Sequence, residues 1–257
     1  MGLIDSHAHL TFPELRDRVD EILVRCDEAG VDEVVTVGTN PADSRAAVET
    51  ARRYPGRVRA VVGVHPHDAG KVGDEELAAV SAMGDRVEVV GFGEMGLDYH
   101  YDFADRQVQQ RVFARQLELA SSRQLPIVIH SREAFDDTIR ILLEQGYAGR
   151  NVVFHCFSGT REQAGCIEEN GWWISLTGII TFRDAGKLQE VVCSYSADRV
   201  MLETDSPFLT PEPIRKKRPN EPAYVEHTAR CLADLRGVDY ENIVEQTAAN
   251  TRRFFNV

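Results

Sequence analysis

Cysteine is scarce in this 257-residue chain: Cys26, Cys156, Cys166, Cys193 and Cys231 are odd in number, widely spaced and form no C-x-x-C pair. That excludes a disulfide scaffold and offers no zinc-finger spacing, so five reduced thiols are expected. No apolar run approaches the roughly 18 residues of a membrane-crossing helix. The opening Met1-Gly2-Leu3-Ile4-Asp5 has neither a basic region nor a signal core. A soluble, cytoplasmic protein without membrane contact is therefore expected. Positive charge is also in short supply, with 29 Lys and Arg against 41 Asp and Glu and a formal charge of -12. Such a total disfavours long-range attraction to nucleic acid, although a local basic patch can still hold phosphates. Disorder is not indicated, because 43% of residues are hydrophobic and 8% aromatic, well above the content of chains that cannot bury a core.

What is present is an alternation. Short β-branched runs recur at residues 3–6, 34–37, 58–64, 87–92, 126–129, 151–154, 173–175 and 199–202. Helical patterns lie between them. Over 13–30, Leu15, Val19, Ile22, Leu23 and Cys26 share one face, with a proline near the start and Gly30 at the end. Asn40-Pro41 opens the next helix in the same way. Further helices are predicted over 105–121, 133–145, 160–170 and 184–194, and two more, 224–235 and 240–255, follow a proline-rich basic stretch over 207–222. Strand–helix alternation implies parallel pairing. Eight such units without a compositional break predict an α/β fold, a single (β/α)8 TIM barrel domain over residues 1–257. A doubly wound open sheet is the alternative, but it usually has fewer strands and a glycine-rich turn after the first, whereas strand one here ends in histidines.

In Asp5-Ser6-His7-Ala8-His9, the period of two along a strand puts His7 and His9 on one face, which points inward in a barrel. A lone histidine at such a place is usually a hydrogen-bonded structural residue. The other strand ends change that reading. Glu94 follows strand four, His130 and His155 end strands five and six, and Asp205 follows strand eight. Six imidazole or carboxylate groups thus fall at the C-terminal ends of five parallel strands, the rim where barrel enzymes keep their active sites. Four imidazoles and two carboxylates exceed one tetrahedral zinc site and suit two divalent ions sharing a carboxylate.

The motifs Asp5-Ser6-His7-Ala8-His9, Gly63-Val64-His65-Pro66-His67, Gly93-Glu94-Met95-Gly96-Leu97-Asp98-Tyr99, Ile129-His130-Ser131-Arg132, His155-Cys156-Phe157-Ser158-Gly159, Glu203-Thr204-Asp205-Ser206-Pro207 and Asn220-Glu221-Pro222-Ala223-Tyr224 follow one another along the chain. In this order the chain resembles the TatD family of metal-dependent hydrolases, a branch of the amidohydrolase-like barrels, nearly end to end. The resemblance implies that His7 and His9 with Asp205 hold one ion, that His130 and His155 hold the other, and that Glu94 bridges them. Many related amidohydrolases bridge with a modified lysine at the fourth strand. Glu94 in that place favours TatD over those amidases and lactonases.

The family is associated with deoxyribonuclease activity, including 3′-to-5′ trimming of single strands, and some members with removal of D-amino acids from tRNA. The implied function is metal-dependent hydrolysis of phosphodiester bonds in DNA, with two divalent ions (Mg, Mn or Zn) as cofactors, nucleic acid as the substrate partner and no obligate protein partner evident. An ester or amide hydrolase, such as a D-aminoacyl-tRNA deacylase, is the alternative. A barrel that binds metal or a partner protein without turnover is opposed by the cost of six polar groups left unsatisfied. Asp205 is the candidate general base, a ligand whose second oxygen accepts the water proton, with a purely ligating role as the alternative; Glu94 is the second catalytic candidate.

Around these, assignments stay open. His65 leaves the third strand on the same rim with His67 and is a candidate phosphate contact or a structural residue. Arg132 has the bidentate fork that suits phosphate, or pairs with Glu133 or Asp136. Glu203 is a candidate for orienting a ligand. Cys156, next to His155, is expected to turn away from the metals as a buried thiol. Arg215-Lys216-Lys217-Arg218 is the one dense basic run; Arg215 and Lys216 are candidate phosphate contacts, and a solvated face is the alternative. Family members commonly read Arg-Gly-Lys-Arg directly before Asn-Glu-Pro, whereas this chain has Lys216 for the glycine and an extra Pro219. Tyr99, Phe157 and Phe208 either stack on splayed bases or serve as packing.

Overall fold

In the computed structural model, which describes residues 2–101 and 103–257, the strands are β1 (Leu3–Ala8), β2 (Val31–Val37), β3 (Val58–Val62), β4 (Val89–Asp98), β5 (Ile127–Arg132), β6 (Val152–Phe154), β7 (Trp173–Leu176) and β8 (Val200–Leu202). They pair in parallel in chain order. The crossovers carry α1 (Val19–Glu28), α2 (Pro41–Arg53), α3 (Asp74–Met83), α4 (Arg106–Ser121), α5 (Phe135–Glu144), α6 (Arg161–Glu169) and α7 (Gly186–Ser194), with α8 (Val225–Arg236) and α9 (Tyr240–Phe255) after β8. The result is the (β/α)8 barrel expected from the alternation. Its last seam closes by an Ala8–Ser206 bridge, with Asp205 N donating to His7 O (2.9 Å) and His9 N to Ser206 O (2.8 Å). The buried Asp5 carboxylate reinforces that seam by accepting from Thr204 N (2.9 Å) and Thr204 Oγ1 (2.5 Å).

Local chemistry starts the helices where the sequence places caps. Asn40 accepts from the Ala42 and Asp43 amides with Pro41 at the first turn, Asp105 from Gln107 and Val108, and Thr160 forms a capping box with Gln163. The first helix is shorter than the 13–30 pattern implies, beginning at Val19 after a 3-10 turn. The preceding segment is held instead by turns, with Leu15 N and Arg16 N donating to Phe12 O, and Phe12 stacks on His9 at the barrel mouth. β4 is longer than expected and runs through Gly93 and Gly96 to Asp98. These glycines pack rather than break the strand: at φ of +144° and +138°, a side chain at Gly93 would collide with Val128 O and one at Gly96 with His130 O.

Two apolar layers support the barrel. The outer one joins strands to helices, with Leu3, Ile22, Phe113, Leu117 and Trp172 fully buried. The inner one fills the barrel with one or two side chains per strand from β2 onward: Val35, Val37, Val61, Val90, Val128, Val153, Trp173 and Met201. Phe254 and Phe255 from the end of α9 join this inner layer.

Candidate metal centre

The inner rows continue upward into the site. Two residues beyond Val128 is His130, two beyond Val153 is His155, and two and four beyond Met201 are Glu203 and Asp205. On β4 the even positions run from Val90 to Glu94 and Asp98. Strand alternation delivers apolar side chains to the barrel interior and Glu94, Asp98 and His130 to its C-terminal rim, where His155, Glu203 and Asp205 follow just beyond the ends of β6 and β8.

These donors converge on Glu94, whose side chain is only 4% exposed. Its oxygens lie 2.8 Å from His130 Nδ1, 2.8 Å from His155 Nε2, 3.4 Å from His7 Nε2, 3.4 Å from His65 Nε2 and 3.7 Å from His9 Nε2. Asp205 stands at the edge of the group, 3.4 Å from His9 Nε2 and 3.9 Å from His7 Nε2, with 15% of its side chain exposed. The six expected residues are therefore brought together. Cys156 and Asp205, just beyond their strands, both take left-handed backbone (φ 49° and 53°), a conformation that concentrates at functional sites.

The electrostatics follow from burial and mutual charge. Burial opposes ionisation of both carboxylates, yet His155 and His65 hold Glu94 well below the usual carboxylate range, and His9 holds Asp205 below it. Conversely, against the pull of burial, Asp205 and Glu94 raise His9, Asp98 and Glu94 raise His130, and Glu94 and Glu203 raise His155 well above an ordinary imidazole. Burial pushes His7 down and His65 down to about 4.

This arrangement fits metal ions. His7 Nε2 and His9 Nε2 are 3.3 Å apart, as are His130 Nδ1 and His155 Nε2. Two nitrogens each about 2.0–2.1 Å from one tetrahedral ion would be separated by about 3.3 Å. Among the described residues, donor atoms gather within chelating reach in three sets: His7, His9 and Glu94; His65, Glu94 and His130; and His7, His155 and Glu203. Neutral imidazoles and ionised carboxylates are the forms that ligate a divalent cation, and cation binding there would displace the protons that Glu94, Glu203, Asp98 and Asp205 favour on His9, His130 and His155.

The structure also reveals a residue that motif reading passed over. Asp98, 1% exposed, has Oδ2 2.9 Å from His67 Nε2 and 3.0 Å from His130 Nε2, so it orients His130 from behind while Nδ1 faces Glu94. The available signal was its spacing from Glu94, four residues along one strand and hence on the same face. An open cleft over the donors at the barrel mouth is lined by Phe12, Tyr101, Arg132 and Phe208 among others, and His65, inside the histidine cluster, lines it too. Glu203 is buried, 3.5 Å from His155 Nδ1, and accepts from Cys156 N (2.6 Å).

Two open assignments resolve, and a third keeps its place. Cys156 lies just beyond the end of β6 and is partly exposed as a residue, but its thiol is buried, as expected, with Sγ 3.6 Å from Thr177 Oγ1, and it belongs to none of the donor sets. Among the described residues Arg132 pairs with neither Glu133 nor Asp136; Glu133 binds His100, and the Arg132 guanidinium lies 4.9 Å from the Tyr101 ring centroid in the cleft wall. Of the three aromatics, Phe157 is buried, and Tyr99 is engaged by Asp137 at its hydroxyl (2.8 Å) and by Arg106 over its ring (4.4 Å). Phe208 is half exposed at the cleft. In the basic run, Arg215 lies over Phe182 (3.4 Å) and Lys217 near Tyr224 (4.5 Å), while Lys216 is exposed. Asn220 Nδ2 donates to Thr204 O (3.0 Å), and Glu221 pairs with Arg25 (2.6 Å), tying the loop after β8 back to the barrel.

A (β/α)8 barrel whose C-terminal rim carries an imidazole–carboxylate cluster is the architecture of a metal-dependent barrel hydrolase. Within it, the chain belongs to the TatD related DNase family, whose profile matches residues 4–256. It is 38% identical over 255 residues to the uncharacterized metal-dependent hydrolase YabD of Bacillus subtilis (strain 168), covering 99% of both chains. It is 36% identical over 260 residues to the 3′-5′ ssDNA/RNA exonuclease TatD of Erwinia tasmaniensis, covering 99% of this chain and 100% of that one. The crystal structure of YJJV, a TatD homolog from Escherichia coli K12, superposes with a TM-score of 0.93 at 29% identity, covering 99% and 98% of the two chains. No helix among the described residues is long and apolar enough to cross a membrane.

Proposed function

We propose that this protein hydrolyses phosphodiester bonds of single-stranded nucleic acid, DNA foremost, from the 3′ end, at a centre of two divalent cations. The observation that carries the reading is Glu94, one carboxylate shared by two of the donor sets. Relatives named as 3′-5′ ssDNA/RNA exonucleases at comparable identity over the full chain support the substrate class. The imidazole-rich donors suit a borderline ion such as Zn better than Mg, which prefers oxygen ligands.

His7, His9 and Asp205 would hold one cation, His130 and His155 the other, with Glu94 between them and His65 beside it. When bound, such ions acidify water and neutralise phosphoryl oxygens. The chain's own groups do the rest. Asp205 is the more exposed of the two central carboxylates and is held as an anion by His9, so it is the group placed to accept the proton of the attacking water. Asp98 fixes the His130 ring, and Glu203 flanks that of His155. Arg132 presents a guanidinium fork to the non-bridging oxygens, and Arg215 and Lys216 grip phosphates further along the strand.

Digestion of 5′- and 3′-end-labelled single-stranded oligonucleotides, with and without chelator, tests this. Stepwise shortening of the 5′-labelled strand, abolished by chelation and restored by added divalent ion, is expected. Undiminished activity in strong chelator would overturn it.

A further inference from the structure

We propose that aromatic side chains on opposite sides of the barrel mouth form a nucleobase clamp, with Phe12 and Phe208 as one jaw and Tyr101 and Phe103 as the other. The inference rests on the nucleic-acid reading of the centre and names the residues that would hold the bases flanking the scissile phosphate. On one side, Phe12 stacks on His9 at 4.6 Å, and Phe208 lies 6.0 Å from Phe12 and 6.4 Å from His9. On the other, Tyr101 and Phe103 lie 5.6 Å apart and 5.4 and 4.7 Å from His67, which shares Asp98 with His130. Because the strands run in order around the barrel, the β8–β1 seam that carries Phe208 and Phe12 faces, across the mouth, the β4 end that carries Tyr101 and Phe103. The centre lies between.

These rings are unusually available. Phe103 is 65%, Phe208 50% and Tyr101 41% exposed, whereas most large apolar side chains of this chain are packed away. Each jaw is also tied to a residue of the site. Tyr101 N donates to the Asp98 carboxylate (Oδ1, 3.1 Å), with the Arg132 guanidinium 4.9 Å from the Tyr101 ring centroid; Phe208 N donates to the main-chain carbonyl of Asp205 (2.9 Å). A strand laid with one phosphate over the centre carries one base to each side. Every base has a π face, so such stacking tolerates sequence and depends on the bases being unpaired. The clamp therefore selects single strands by their exposed base faces, while the basic run after β8 supplies charge.

The test uses the metal-loaded protein and a fluorescein-labelled, phosphorothioate-linked single-stranded DNA octamer, with binding read by anisotropy. Tyr101→Ala, Phe103→Ala and Phe208→Ala should each weaken binding by on the order of tenfold, with the melting temperature unchanged, while Tyr101→Phe binds as the parent does. One abasic position in the octamer should produce the same loss for each jaw. Combining that abasic position with the matching variant should add almost nothing. Variants that bind within twofold of the parent, or variant and abasic losses that simply multiply, would overturn the clamp and leave the hydrolase reading standing. A parent protein that binds no oligonucleotide at all would overturn both.

Discussion

Inside the barrel, Val35, Val61, Val90, Val128, Val153, Trp173 and Met201 pack with Phe254 and Phe255 into a dry apolar layer; a few residues further along the same inward rows stand Glu94, His130, His155 and Asp205. The apolar layer gains stability by excluding water, with each well-buried large side chain contributing about 1.5–3 kcal/mol. The mouth does the opposite. It gathers charge that burial disfavours, leaves His7 Nδ1 and His155 Nδ1 without hydrogen-bond partners among the described residues, and accepts left-handed backbone at Cys156 and Asp205. A single strand thus contributes to stability at one position and to chemistry at another two to four residues away.

That division breaks most visibly at Asp205. Asp205→Asn should lower turnover on oligonucleotides by about 10²–10⁴-fold, the range of a lost general base, with little change in melting temperature, because the barrel core does not use it. Retained turnover would take Asp205 out of the reaction altogether. The converse comes from the apolar layer: Phe254→Ala should cost about 3–5 kcal/mol of stability by denaturant titration, while kcat per folded molecule stays near that of the parent. A large fall in kcat with intact stability would mean that the two layers are coupled.

A smaller effect sharpens the comparison at the rim. Replacing Arg215, Lys216, Lys217 and Arg218 with Ser should raise KM, affect kcat less and flatten the salt dependence, by up to about 0.7 in the log–log slope per lost phosphate contact on single strands. An unchanged slope would return the run to a solvated face. The smallest effects concern thiols. Cys156→Ser should keep most activity, because Sγ contacts Thr177 and Cys156 belongs to none of the donor sets. In the folded protein at pH 8, iodoacetamide should reach exposed Cys193 first and Cys26 and Cys156 last, since burial pushes the Cys26 thiol up to about 12 and the Cys156 thiol well above its ordinary value. Early labelling of Cys26 would show that the helix layer opens.

The barrel was legible because period-two strands and capped helices alternate without interruption, and the rim donors because histidines and carboxylates recur at strand ends. What escaped were features set by backbone geometry. Gly93 and Gly96 look like breakers, yet they let β4 approach β5 closely enough to carry Asp98 into the site beneath His130. Tyr101 and Phe103 went unnoticed because nothing in a short loop sequence tells which rings turn outward. Tyr99 and Phe157, nearer the motifs, turned out to be engaged or buried.

The central claim is that Glu94 serves two ions at once, and metal stoichiometry tests it most directly. A carboxylate between two dications about 3.5–4 Å apart screens their repulsion, so its loss should affect both sites. Elemental analysis of Glu94→Gln beside His130→Ala, each with circular dichroism, should show a folded Glu94→Gln protein depleted of both ions and His130→Ala depleted mainly of one. Glu94→Gln protein that binds two ions per chain and turns over near normally would contradict the account.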